Sequence, residues 1–152
     1  MVEKDLIQQV RESHENGQEK YTYFLLAAAG AAIGFAVQKT EGLLLSWWLL
    51  PVAFSIFFWG LSFYFGCENI NWVQTSKVAN YNLLHLKNGS HSEQPSNQEG
   101  LDYAVSEVRS ALSQNMEKAQ SYYKWQFRSL ISGAIFFIGW RIVEMVRISC
   151  LV

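Results

Sequence analysis

Arg141, Glu144 and Arg147 are three charges set in an otherwise apolar stretch, among Ile142, Val143, Met145, Val146 and Ile148. Intervals of three residues place them on one face of a helix, where the carboxylate can pair with either guanidinium. Ionisable groups held at membrane depth are costly and commonly mark sites of permeation or sensing. Two readings follow for this cluster. One is a salt-bridged helix end that snorkels to the head groups. The other is a charged ring at the outer mouth of an oligomeric pore.

A second informative spacing is Gly30-xxx-Gly34, flanked by the parallel small-residue track of Ala28 and Ala32. Small residues four apart let two helix backbones approach closely, which is how packing energy is gained in lipid. The partner is either the neighbouring span of the same chain or a second copy.

Other chemistry is missing from the sequence. No GxxxxGK[ST], GxGxxG, HExxH or CxxC occurs. His14, His85 and His91 lie apart from one another and from Cys67 and Cys150, so no metal-ligating set and no cofactor are expected. No serine stands in a hydrolase elbow. The chain is therefore expected not to be an enzyme.

The elements that carry these residues are hydrophobic helices. Residues 21–38 and 43–67 are uncharged and are joined by Lys39-Thr40-Glu41-Gly42. Each run is about long enough to cross a bilayer as a helix. Lys20, Tyr21 and Tyr23 anchor the first, and Ser46-Trp47-Trp48 opens the second, with Pro51 in its first turns. A third apolar stretch runs from Trp125 through Trp140 and ends in the charge cluster. Trp125 and Trp140 are separated by about 22 Å at a helical rise of 1.5 Å per residue, a spacing suited to two interfacial belts. Arg128 and Arg141 would then snorkel to opposite head-group layers. The alternative is a helix lying in the interface.

Polar helices fill the rest. Residues 1–19 form an amphipathic segment with Val2, Leu6 and Val10 on one face, ending near Asn16-Gly17. Trp72, Ser76, Ala79, Leu83 and Leu86 recur at alternating four- and three-residue spacings. That makes a coiled-coil-like seam for helix packing or an oligomer interface, and nothing stops the helix before Asn88-Gly89. Residues 88–100 read as a loop, with a capping-box spacing from Ser96 to Glu99. Residues 101–124 carry the stripe Leu101, Val105, Val108, Leu112, Met116, Ala119 and Tyr123. They suit antiparallel pairing with the segment before the loop.

Composition agrees with a segregated membrane chain. Half of the 152 residues are apolar, yet mean hydropathy is only +0.03, so apolar runs alternate with strongly polar ones. A net charge of −1 offers no field for nucleic acid. The acidic residues among the first twenty and the late apolar run do not fit a cleavable signal peptide. An inside N-terminus puts Lys4, Arg11, Lys20, Lys77, Lys87, Arg109, Lys118, Lys124 and Arg128 in the cytoplasm. Only Lys39, Arg141 and Arg147 then lie outside, which is the favoured orientation. It places Cys67 and Cys150 on opposite sides, against an intrachain disulfide.

The stretches KYTYFLLAAAGAAIGFAV, LSWWLLP, WGLSFYFGC and YKWQFRSLISGAIFFIGW resemble a family of small uncharacterised bacterial multi-span membrane proteins. The resemblance covers most of the chain from Lys20 to Trp140 and implies the architecture and a bacterial inner-membrane location. The layout is also similar to that of small membrane effectors of bacterial anti-phage operons.

The expected fold is all-α, an integral membrane protein of three transmembrane helices with a cytoplasmic antiparallel helical hairpin. Its expected segments are 1–19 (amphipathic helix), 20–66 (transmembrane hairpin), 67–124 (helical hairpin with loop 88–100) and 125–152 (third span). The expected partners are the lipid bilayer, further copies of the chain and a cytoplasmic protein.

Overall fold

A computed structural model describes the backbone of residues 2–43 and 46–150 and the side chains of residues 17–43 and 46–149. The fold is all-α. Helix α1 is Val2–Thr40, α2 is Leu50–Lys87 and α3 is Gln98–Cys150. A short 3-10 helix, Trp47–Leu49, precedes α2, and no strand occurs among the described residues. The segments Gly17–Thr40, Trp47–Lys87 and Gln98–Ser149 each hold a window long and apolar enough to cross a membrane.

Several boundaries differ from the sequence expectation. Asn16-Gly17 does not end the first helix, which continues through it to Thr40. A single helical glycine costs about 1 kcal/mol relative to alanine, too little to break a helix with good helix formers on both sides. The face formed by Val2, Leu6 and Val10 lies outside the described side chains. The first connection is longer than Lys39-Thr40-Glu41-Gly42. Lys39 and Thr40 remain in α1, and α2 begins only at Leu50. Gly42 takes φ +78, a left-handed conformation that glycine adopts at no steric cost. The Leu43 N–H then donates to the Thr40 carbonyl at 3.1 Å. Pro51 falls in the first turn of α2, where no intrahelical N–H partner is needed.

Asn88-Gly89 ends α2 as expected. Gly89 has φ +69; its N–H donates to Leu86 O at 3.3 Å, and Ser90 N–H donates to His85 O at 3.0 Å. This pair of bonds is the Schellman closure, which satisfies carbonyls the helix end would orphan. The start of α3 does not use Ser96. The Asn97 side-chain Oδ1 accepts from the Gly100 N–H at 3.2 Å, and Leu101 N–H donates to Asn97 O at 3.1 Å. Asn97 is thus the N-cap, and residues 98–100 belong to the helix rather than the loop. α3 then runs without interruption through what the sequence divides into residues 101–124 and a third span.

The chain divides into two units, Met1–Gly66 with Tyr123–Val152, and Cys67–Tyr122. In the first unit, α1 buries Thr22, Leu25, Ala29 and Ala36, the α2 segment buries Val52, Ser55, Trp59 and Ser62, and the α3 segment buries Gln126, Ser129 and Trp140. Large apolar side chains such as Phe24, Phe57, Tyr64, Ile135 and Ile138 face outward. Trp140 is therefore a core residue, clustered with Ala36, Val52 and Trp59, whereas Trp125 is exposed. The exposed tryptophans near the start of α2 are Trp47 and Trp48.

The second unit is a helical hairpin. Asn69 Nδ2 donates to the Ala119 carbonyl at 2.7 Å, and the Lys118 ammonium lies over the Trp72 ring at 4.2 Å from its centroid. Leu83, Leu86 and Ser76 are buried, and Trp72 and Ala79 are half-buried. Of the stripe expected on residues 101–124, Met116 faces solvent and Asn115 takes the inward place. The helix holds alternating steps of four and three (108, 112, 115, 119), so a second consecutive step of four overshoots the face.

Replacing the N-cap tests the start of α3. Asn97→Ala should lower stability by about 1 kcal/mol, while Ser96→Ala leaves it unchanged. Helical circular dichroism during thermal unfolding in detergent reads both; equal losses would return the cap to Ser96.

Candidate functional site

The interior of the first unit is built from residues, mostly small or polar, that recur every seven positions. On α1 these are Thr22, Ala29 and Ala36. On α2 they are Ser55 and Ser62. On α3 Gln126, Gly133 and Trp140 follow the same interval, and all of these are buried. Seven residues make almost two helical turns, so each series stays on one face.

The hydroxyls and amides on these faces clasp neighbouring backbones. Ser62 Oγ donates to the Gln126 carbonyl at 2.9 Å, and Trp59 Nε1 donates to the Leu130 carbonyl at 3.2 Å. Gln126 Nε2 reaches the Thr22 carbonyl at 3.4 Å. Gln126 thereby joins all three helices. Ser55 and Thr22 donate to carbonyls of their own helices, Pro51 O at 2.8 Å and Gln18 O at 3.1 Å. Each interhelical side-chain bond in lipid is worth on average about 0.6 kcal/mol. The direct gain is modest, so close packing carries most of the association.

Two glycines make that packing possible. A Cβ at Gly133 would stand 2.6 Å from the Trp59 indole and 3.0 Å from the Ser55 carbonyl oxygen. A Cβ at Gly66 would stand 2.5 Å from Gln126 Nε2 and 2.7 Å from Leu26 Cδ2. The helices are in contact where no side chain could fit.

Gly30 and Gly34, the pair marked by sequence, behave differently. Both are exposed, and a Cβ added at either meets nothing within 4 Å. The inward face of α1 runs through Ala29 and Ala36, with Ala32 packed against the core, so Gly30 and Gly34 face away from it. Ala28 is half-buried. The seam residues Trp72, Ala79, Leu83 and Leu86 are used inside the hairpin of the second unit.

The charge cluster is partly assembled. Arg147 Nη2 donates to Glu144 Oε1 at 2.8 Å, and its guanidinium lies 5.9 Å from the Trp48 ring centroid. Arg141 stands beside the Trp140 ring, 5.6 Å from its centroid. Glu144 thus pairs with Arg147, the arginine one turn toward the C-terminus. Cys67 is a half-buried free thiol, and the Cys150 side chain lies outside the described residues. Among the described residues no group of three His, Cys, Asp or Glu side chains is placed to hold a metal ion.

The sequence reading passed over Ser55, Ser62, Gln126, Ser129 and Gly133. For Ser55, Ser62, Gln126 and Gly133 the signal was available as a seven-residue recurrence inside apolar runs; Ser129 lies outside both series. No protein-family model, curated protein or solved structure matches the chain.

Gln126 makes a discriminating test. Its Oε1 is buried with no partner, a loss of about 1–3 kcal/mol for an unsatisfied acceptor. Gln126→Met keeps the shape, leaves the Ser62 bond to the backbone intact, and removes that acceptor together with the long 3.4 Å bond from Nε2 to Thr22. It should be neutral or stabilising. Gly133→Ala should destabilise by about 1–3 kcal/mol through overpacking, whereas Gly139→Ala, with nothing within 4 Å of its Cβ, should be tolerated. Thermal unfolding in detergent ranks the three.

Proposed function

We propose that this chain is a homo-oligomeric inner-membrane protein of bacteria that forms or gates a pore in response to a cytoplasmic signal. The observation that carries the reading is the open Gly30/Gly34 face. Gly66 and Gly133 are filled by packing within the chain, whereas Gly30 and Gly34 have free space around them. A helix-packing motif left unoccupied in one chain suits a neighbouring copy.

The intrachain polar seam supports placing any conduction path between copies. The Thr22, Ser55 and Ser62 hydroxyls and the Gln126 amide nitrogen are spent on backbone carbonyls, and its glycine positions are filled by Trp59 and Gln126. In this proposal the Arg147–Glu144 pair and Arg141 stand at the outer mouth, and the hairpin of residues 67–122 receives the signal. The layout likeness to anti-phage membrane effectors extends the proposal to a defence role.

A second reading is a non-conducting membrane scaffold that docks a protein through that hairpin. It is favoured by the exposed Val78, Tyr81 and Tyr103 on the second unit.

Mass photometry of the detergent-purified particle should give a ring-forming multiple of the chain mass. Gly30→Leu/Gly34→Leu should shift it to monomer while leaving the melting curve of the fold unchanged. Planar-bilayer recordings should show conductance from the oligomer, with ion selectivity altered by Glu144→Gln. A monomer, or an oligomer silent under every trigger tried, would leave the scaffold.

A further inference from the structure

We propose that a groove between α1 and α3, formed by Tyr21, Tyr123, Lys124, Phe127 and Arg128, binds the phosphate head group of an anionic phospholipid. The groove is open to the outside, with a volume of ≈ 230 Å³. Tyr21 and Tyr123 form its wall, with ring centroids 5.8 Å apart. Lys124 and Arg128 are separated by one helical turn, so both cations stand on the same side. Phe127 adds an exposed apolar surface. Among the described residues its lining includes no carboxylate.

These groups match a lipid phosphate. A compact ammonium and a forked guanidinium are complementary ways of holding its oxygens, and two phenols supply further donors. Arg128 rests over the Trp125 ring, 5.5 Å from the centroid. A guanidinium stacked on an aromatic face keeps its in-plane N–H donors available and loses less freedom on binding.

The position of the groove selects a lipid over a soluble anion. Tyr21 opens the uncharged run 21–38, and Trp125 opens the apolar stretch that leads to Trp140. The groove therefore sits where two apolar helices turn polar, the level at which aromatic and basic residues meet head groups. Its cations face the phosphate, and Phe127, between them in sequence, adds apolar surface at the same level.

The inference rests on the membrane placement proposed above, and its test separates the two. The full chain is first expressed and fractionated. Recovery in the washed soluble fraction would overturn the membrane placement and the groove with it. Chain purified from membranes in a neutral maltoside detergent is then titrated with phosphatidylglycerol, phosphatidylcholine or inorganic phosphate, and bound molecules are counted by native mass spectrometry. The expected result is a preference of about tenfold or more for phosphatidylglycerol over phosphatidylcholine. Lys124→Gln/Arg128→Gln should weaken phosphatidylglycerol binding about thirtyfold. Lys87→Gln/Arg109→Gln, with the same change in net charge, should leave it intact.

Equal retention of the two lipids by the unsubstituted chain overturns the proposal, and this comparison needs no variant to fold. Equal loss in both double variants also overturns it, because binding would then follow total charge. Full displacement of phosphatidylglycerol by millimolar inorganic phosphate would mark a site for a soluble anion and overturn the lipid assignment.

Discussion

The close contact at Gly133 governs the first unit. Trp59 and the Ser55 carbonyl lie where a Cβ would be, so α2 and α3 meet nearly backbone to backbone. That proximity lets Trp59 reach the Leu130 carbonyl and Ser62 reach the Gln126 carbonyl. It also draws Trp140 inward onto Ala36 and Val52. In an apolar solvent the packing of large side chains gains little over lipid contact, so helix association depends on this kind of intimate approach. The hydrogen bonds fix register more than they add stability.

The distribution of residues follows from that constraint. Serine, threonine, glycine, alanine and one glutamine share the inside with Leu25, Val52, Trp59 and Trp140, and phenylalanine, isoleucine and tyrosine occupy much of the outside. A water-soluble bundle would favour the reverse, because the hydrophobic effect drives large apolar groups inward. Gln126 shows the cost of a polar interior. Its amide nitrogen joins α1 to α3, while its carbonyl oxygen has no partner.

The glycines sort by use. Gly66 and Gly133 are consumed within the chain, and Gly42 and Gly89 make turns that need a left-handed backbone. Gly30 and Gly34 do none of this. The sequence identifies the pair as a packing motif, but only the burial of Ala29 and Ala36 shows that the motif faces away from the chain's own helices. The same distinction holds for tryptophan. Trp125 and Trp140 look alike in sequence, each beginning or ending an apolar run, yet Trp125 is exposed and Trp140 is buried.

By itself the sequence determined the helical class, the three apolar stretches, the stop at Asn88-Gly89 and the seam through Leu83 and Leu86. These follow from local properties: charge-free length, turn chemistry and periodicity. It did not determine where one helix yields to another, because helix continuity through Asn16-Gly17 and into α3 balances small propensities against the neighbouring turns. Nor did it determine which face of each helix is inside. In a soluble helix the apolar stripe marks that face. Here nearly every residue of a span is apolar, so the inward side is set by where small residues on three helices coincide, and that coincidence exists only in the folded chain.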